Sequence, residues 1–307
     1  MADYGKNFVQ LHNHTHYSLL DGASKIPDLA KRAAELEMPA VGITDHGNMH
    51  GAYEMYTNCV ANGVKPIIGI EAYVTPETAR QDKSRVHWGT EAQRRDDVSG
   101  GGLITHLTMW AENDEGLVNL IKASSVANLE GRVMRYPRMD KEVLSTYSKG
   151  VIASSGCPSG IIQTRLRLGQ FDEALRAAGE FQDIFGKDNF FIELMDHGLT
   201  IENQVTDDLL TIAKKLDAPL LATNDSHYVH AEDAGAQDAM LCINSGSRLD
   251  DPDRFKFDGT GYYIKTAEEM RELFKDHPDA CDNTLLIAER CNVMFDDHED
   301  GAFMPQF

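Results

Sequence analysis

Histidine, aspartate, glutamate and cysteine recur in this sequence where short extended runs end. Leu11-His12-Asn13-His14-Thr15-His16 closes the run that begins at Phe8, and Asp21 follows it. Thr44-Asp45-His46-Gly47, Gly69-Ile70-Glu71, Thr105-His106-Leu107-Thr108, Ser154-Ser155-Gly156-Cys157-Pro158 and Thr223-Asn224-Asp225-Ser226-His227 repeat the pattern. Alternate residues of an extended chain share a face, so His12, His14 and His16 present at least two imidazoles to one ion. Imidazole, carboxylate and thiolate together suit zinc, manganese or iron. Such a set exceeds the needs of one tetrahedral ion and predicts a cluster of two or three. Any one of these residues alone reads as a hydrogen-bonded structural group. Their joint recurrence does not, because ionisable groups are rarely buried unpaired.

Such ligands need a scaffold that brings many strand ends together. Apolar, β-branched runs fall at Phe8–Leu11, Ala40–Thr44, Pro66–Tyr73, Leu103–Met109, Gly150–Ser154, Phe190–Leu194 and Pro219–Thr223. Helical patterns fall between them at Ile26–Leu36, His50–Asn62, Glu115–Asn128, Phe171–Phe185 and Ile201–Leu216. That alternation predicts an α/β fold with a parallel sheet, seven strands closing into a distorted (β/α)7 barrel. Active sites of such barrels gather at the carboxyl ends of the strands. Residues 76–102 break the rhythm and read as a long surface insertion, a flexible lid or partner loop carrying Arg94-Arg95-Asp96-Asp97. Asp258-Gly259 within Phe255–Tyr263 predicts a hairpin. Helices are expected over Ala267–Phe274 and Asp279–Cys291.

Composition narrows the function. The 307 residues are 42% hydrophobic and 25% charged, as in ordinary globular chains. No apolar stretch is long enough to span a membrane, and the expectation is a cytoplasmic protein. Five scattered cysteines with no CxxC pair argue against a disulfide framework. The formal charge of −20 opposes stand-alone nucleic-acid binding, which rests on neutralising phosphates. Either the substrate is small, or metal ions and a neighbouring basic region supply the positive field.

With these residues in view, the chain resembles the polymerase-and-histidinol-phosphatase (PHP) family. Within it the closest likeness is to the domain carried by bacterial DNA polymerase III alpha subunits of actinobacterial type. The matching stretches include Leu11–Thr15, Thr44–Met49, Gly156–Gly160, Glu193–Gly198, Thr223–Asp225 and Arg254–Gly259. The resemblance implies three divalent metals, zinc with manganese or iron as alternatives. One would be held by His12, His14, Glu71 and Asp225. A second would share Glu71 and add His106 and Cys157. The third would use Asp21, His46 and His227. It also implies a PHP domain over residues 1–295, with 296–307 starting a linker to polymerase regions. The implied reaction is metal-dependent 3′–5′ exonuclease cleavage of DNA, proofreading in role, through a metal-bound water with no separate side-chain base. The implied partners are a DNA 3′ end, single-stranded or a frayed primer, polymerase regions of the same parent chain and replisome subunits, with no membrane.

His16, His50 and His230 neighbour these motifs and are candidates for substrate contact, although each reads equally well as a structural or solvated histidine. His87, His197, His277 and His298 are left out of the site. Two other functional readings use the same residues: a structural domain whose metals stabilise the polymerase without turnover, and a small-molecule phosphatase.

Overall fold

The computed structural model describes residues 6–19, 21–91 and 100–295. Arg94-Arg95-Asp96-Asp97 and the expected linker at 296–307 lie outside them. The strands are β1 (Ala40–Ile43), β2 (Lys65–Val74), β3 (Thr105–Ala111), β4 (Arg138–Met139), β5 (Val151–Ser154), β6 (Phe190–Leu194) and β7 (Leu220–Ala222). The helices are α1 (Ile26–Glu35), α2 (Ala52–Ala61), α3 (Asp114–Glu130), α4 (Lys141–Thr146), α5 (Ile161–Arg167) and α6 (Phe171–Phe185). They continue as α7 (Thr200–Asn203), α8 (Thr206–Leu216), α9 (Ala234–Ser245), α10 (Ala267–Leu273) and α11 (Pro278–Arg290). Helix starts follow local chemistry. Asn113 caps α3 by accepting from the Gly116 N–H, and Thr266 with Glu269 forms a capping box on α10.

The sheet runs β1-β2-β3-β5-β6-β7, with β4 added beside β2. It is the expected α/β barrel-like sheet, but it is mixed. β3 pairs antiparallel with β2 (Gly69 opposite Trp110, Val74 opposite Thr105) and with β5. The expectation of a parallel sheet fails here because the β2–β3 connection shows no crossover helix among its described residues, so the next strand can return alongside. The two-residue strand β4 was not anticipated, nor were the helices α4, α5 and α9.

The run Phe8–Leu11, expected as a regular strand, joins no ladder. It is an extended segment stitched on both sides. Gly42 N–H donates to Gln10 O at 2.8 Å and Thr44 N–H to Asn13 O at 3.0 Å. His14 N–H donates to Ser226 O at 2.7 Å and Ser226 N–H to His12 O at 3.1 Å. The segment thus spans the gap between β1 and the chain beyond β7, where alternate bonds to two neighbours do not build a continuous ladder.

The period of two along each strand sorts residues between two cores. Ile68, Ile70 and Ala72 of β2 and Leu107, Met109 and Ala111 of β3 pack outward against helices. Val9, Leu11, Ile67, Trp110, Ile152, Phe191 and Leu221 fill the interior, closed off by Leu285 and Ala288 of α11. Trp110 donates its Nε1–H to Leu11 O at 3.1 Å. Gly69 gives it room, since a Cβ there would lie 2.8 Å from the indole.

Two further expectations change. Phe255–Tyr263 forms no hairpin; Gly259 turns at φ +79°, and the segment meets the sheet through a single bridge from Tyr263 to Tyr228. The described part of the insertion is pinned. Buried Arg138 donates to the carbonyls of Gly131, Leu103, Arg80 and Asp82, and Arg165 lies 4.2 Å over the Trp88 ring. These bonds hold residues 80–88 to the barrel wall, where a free lid would have none.

Candidate metal centre

The inner face that carries apolar side chains through the barrel ends in polar ones. On β2 the series Ile67, Gly69 continues to Glu71; on β6 Phe191 is followed by Glu193; on β5 Ile152 is followed by Ser154. His12 and His14, beyond the extended segment, are wholly buried, as is Glu71. His46, Cys157, Asp225 and His227 follow β1, β5 and β7. His106 is the second residue of β3, and the antiparallel run of that strand puts its start at the rim where parallel strands end.

All nine expected ligand residues meet in one place. Asp225 Oδ1 lies 3.0 Å from His14 Nε2 and 3.4 Å from His12 Nε2, and His12 Nε2 lies 3.4 Å from Glu71 Oε1. Glu71 Oε2 lies 2.6 Å from His46 Nδ1 and 3.0 Å from His106 Nδ1. Cys157 Sγ lies 3.4 Å from His106 Nδ1. Asp21 lies 3.2 Å from His46 Nε2 and 3.8 Å from His227 Nε2. Three tighter groups stand out, each with atoms within 4.8 Å of one another: His12, His14 and Glu71; His46, Glu71 and His106; and His14, His46 and His227. His46 therefore sits beside the Glu71–His106 pair as well as Asp21 and His227.

The donor set fits metal ions on an observation independent of proximity. Asp21 Oδ1, His46 Nδ1, both Glu71 oxygens, Asp225 Oδ1 and His227 Nε2 are buried and have no hydrogen-bond partner. Buried polar atoms are otherwise almost always satisfied. His46 Nδ1 and Glu71 Oε2 are close in distance yet not aligned to bond each other.

Outer hydrogen bonds aim three imidazoles inward. His12 Nδ1–H donates to Glu193 Oε1 at 2.7 Å. His14 Nδ1 meets Ser18 Oγ at 2.9 Å, and that hydroxyl donates to Asp45. His227 Nδ1–H donates to the Asp225 carbonyl at 2.8 Å. Each ring thereby holds its proton on Nδ1 and turns Nε2 toward the carboxylates, the arrangement that orients metal-binding histidines. Sequence reading missed Glu193, Ser18 and Asp45 in these roles. Glu193 and Asp45 lie within or beside the quoted motifs, but nothing in their spacing marks them as supports.

The charges are strongly coupled. Burial opposes the charged form of His12, yet Asp225 and Glu193 outweigh it and raise its pKa well above the ordinary value. His46 is likewise raised, against burial, by Asp21 and Glu71. Burial, with His46 and His227 nearby, pulls His14 down to about 3. Against burial, His46 draws Asp21 down to about 2, and His106 and His46 hold Glu71 well below the carboxylate range. Burial and the charges of Glu71 and Asp225 push the Cys157 thiol far up. Asp225 also adopts a left-handed backbone at φ +44°, an unusual conformation for a side-chain-bearing residue and one that clusters at functional sites.

The remaining histidines separate. His50 is exposed on the rim of an adjoining groove with Arg132, Arg135, Asp21 and His46. His16, expected to share a face with His12 and His14, lies with its ring 4.4 Å from Tyr17 and joins none of the groups. The chain turns at His16 and Tyr17, with the Ser18 N–H on Thr15 O at 2.8 Å, and this ends the alternation. The His230 N–H bonds Asp233 Oδ2 at the start of a short turn of helix. His197, left out of the site, has Nδ1 on Glu202 and Nε2 on Asn224 O. The open cleft above the cluster measures about 440 Å³. A larger cavity of about 1030 Å³, lined by Asp188, Phe191, Leu220 and Arg290, contains none of the nine residues. Among the described residues, no helix is long and apolar enough to cross a membrane.

The PHP domain model matches residues 10–197, more than half of the chain. The chain is 54% identical to the DNA polymerase III subunit alpha of Mycobacterium tuberculosis over 99% of its own length and 26% of the relative. It is 57% identical to that of Saccharopolyspora erythraea over 92% and 24% respectively. It thus spans about a quarter of the length of the curated relatives it matches. A candidate metal-dependent phosphoesterase from Bifidobacterium adolescentis is 15% identical with a TM-score of 0.41, covering 86% of this chain and 96% of the other. The chain belongs to the PHP domain family.

Proposed function

We propose that this chain is the metal-dependent 3′–5′ exonuclease domain, proofreading in role, of a DNA polymerase III alpha subunit. The observation that carries the reading is the convergence of nine ligand-type side chains, five of which (Asp21, His46, Glu71, Asp225 and His227) have buried atoms without a hydrogen-bond partner. Relatives named as the alpha subunit support the polymerase context. Three ions are assigned as the resemblance implies. His12, His14, Glu71 and Asp225 hold the first; Glu71, His106 and Cys157 the second; Asp21, His46 and His227 the third. Divalent ions in such a centre supply Lewis acidity toward phosphoryl oxygens and a nucleophilic water at neutral pH.

The protein's part is to hold and orient. Glu71 uses both unpartnered oxygens and belongs to two of the close groups. Glu193, Ser18 and the Asp225 carbonyl keep three imidazoles in the donor tautomer. Tyr73 forms part of the cleft wall beside His46 and His106 and remains a neutral phenol, its pKa pushed up to about 12 by burial. Asp21, Glu71, Asp225 and a Cys157 thiolate carry four negative charges against roughly six positive for three divalent ions. The cleft then becomes cationic inside an acidic chain, although the field is short in salt. Long DNA needs the polymerase regions for grip. We assign residues 1–295 to the domain and 296–307 to a linker, with a DNA 3′ end, polymerase regions and replisome subunits as partners in the cytoplasm.

Metal analysis paired with digestion of 3′-labelled single-stranded DNA, wild type against Asp225→Asn, tests the proposal. Asn tolerates the left-handed backbone but removes the charge. Metal near three equivalents with cleavage lost in the variant supports the exonuclease. Full metal occupancy without cleavage, even alongside the polymerase regions, leaves a structural metal domain.

A further inference from the structure

The cleft above the metal ligands has a second half that the ligand set does not use. Phe255 is 60% exposed and lines it. Its ring meets Phe257 edge-on with centroids 6.0 Å apart, and Phe257 in turn meets the His227 ring at 4.7 Å. A short aromatic series therefore leads from solvent to a candidate ligand. Arg135 lines the same cleft. Arg80, Arg165, Arg176, Arg254 and Arg290 are each paired with carboxylates. Arg135 instead rests on the neutral Asn244 Oδ1 at 2.6 Å and over the Tyr136 ring at 5.3 Å. The Asn244 bond uses one of the five donors of a guanidinium.

An exposed phenylalanine by itself is ordinary. One that shares a cleft with clustered metal-ligand residues and an arginine free to meet an anion has the makings of a nucleotide subsite. Every base has a face that stacks on an aromatic ring, and guanidinium groups recognise phosphate by paired donors. The cleft of about 440 Å³ is in the range of small-ligand sites. We propose that Phe255 stacks the terminal, unpaired nucleobase of a single strand while Arg135 binds a phosphodiester of the same strand. The inference rests on the nuclease reading of the metal centre and assigns the residues that would grip its single-stranded or frayed end. A duplex end keeps its terminal base stacked and paired, and so presents no free face to Phe255.

The test measures binding apart from cleavage. Fluorescence anisotropy with the metal-loaded 307-residue chain at low salt uses a 5′-labelled single-stranded 10-mer whose 3′-terminal linkages are cleavage-resistant phosphorothioates, and the same strand ending in an abasic nucleotide. Phe255→Ala is expected to weaken binding of the normal strand about tenfold, with Phe255→Trp restoring it. The abasic strand is expected to bind wild type and Phe255→Ala equally. Arg135→Gln is expected to weaken both strands alike and to lower the slope of log affinity against log salt by about one. Val60→Ala, on the exposed face of α2, serves as the control. Equal loss on both strands in Phe255→Ala, or no measurable binding by wild type, overturns the subsite. Base-dependent binding through Phe255 without cleavage in the metal-loaded protein keeps the subsite and rejects the nuclease reading. Cleavage with the same KM in wild type and Phe255→Ala does the reverse.

Discussion

Replacing Glu193 by glutamine removes one charge from beneath the proposed metal centre while leaving its shape. Glu193 is buried, and its Oε1 accepts from His12 Nδ1 at 2.7 Å and from Thr223 Oγ1 at 2.6 Å, while Oε2 accepts from Ser154. A glutamine carbonyl in the place of Oε1 keeps the first two bonds. Its amide then faces Ser154, whose hydroxyl can turn to accept. The loss is thus the charge behind the His12 bond. Hydrogen bonds to charged groups contribute about 1.5–3 kcal/mol against about 0.5–1.5 for neutral ones. A difference of about 1–2 kcal/mol weakens affinity at the His12 site by roughly 5- to 30-fold, inside the range typical of outer-shell carboxylates. Competition with a chromophoric chelator measures this directly. Glu193→Ala goes further, leaving the His12 N–H and two hydroxyls without an acceptor. At about 1–3 kcal/mol for each buried unsatisfied group, it costs at least about 3 kcal/mol of stability in denaturant unfolding. Metal affinity of Glu193→Gln within twofold of wild type would refute the claim that Glu193 tunes His12.

Two further outcomes follow from the same geometry. His12 and His46 have raised pKa values, so in metal-free protein their ion pairs stabilise fully below about 6.5 and fade as pH climbs through the raised values. Ion binding must displace those protons and that of Cys157, so metal affinity should rise with pH across neutrality while the Tm of EDTA-treated protein falls; a flat affinity profile between pH 6 and 8.5 contradicts this. Arg138→Met strands the buried carbonyls of Gly131 and Leu103 and releases those of Arg80 and Asp82 to water, and should cost about 2–6 kcal/mol. It should also make trypsin cut first around Arg80–Arg85, and a wild-type cleavage pattern speaks against the pinned insertion.

Residue type and period carried much of this protein into view before any fold. The alternation of Ile67, Gly69 and Glu71, or of Phe191 and Glu193, is local, and it puts an apolar interior beneath a polar rim in whichever sheet is built. Side-chain chemistry is also local, so imidazoles, carboxylates and a thiol at run ends point to metal without knowledge of their neighbours. Strand direction is not local. The reversal of β3 depends on how the 76–102 connection returns, and it alone explains why His106 serves from the start of a strand while His46 and His227 serve from beyond the ends of theirs. Supporting groups were hidden for the same reason. Glu193 lies 181 residues from His12, and Asp45 reaches His14 only through Ser18. Nor does spacing separate His14 from His16; the bond from His14 N–H to Ser226 O and the turn at His16 and Tyr17 do that. Sequence determined which groups the centre contains. Tertiary structure decided which atoms face one another, because a hydrogen bond or a shared ion acts over a few ångströms of space and is blind to distance along the chain.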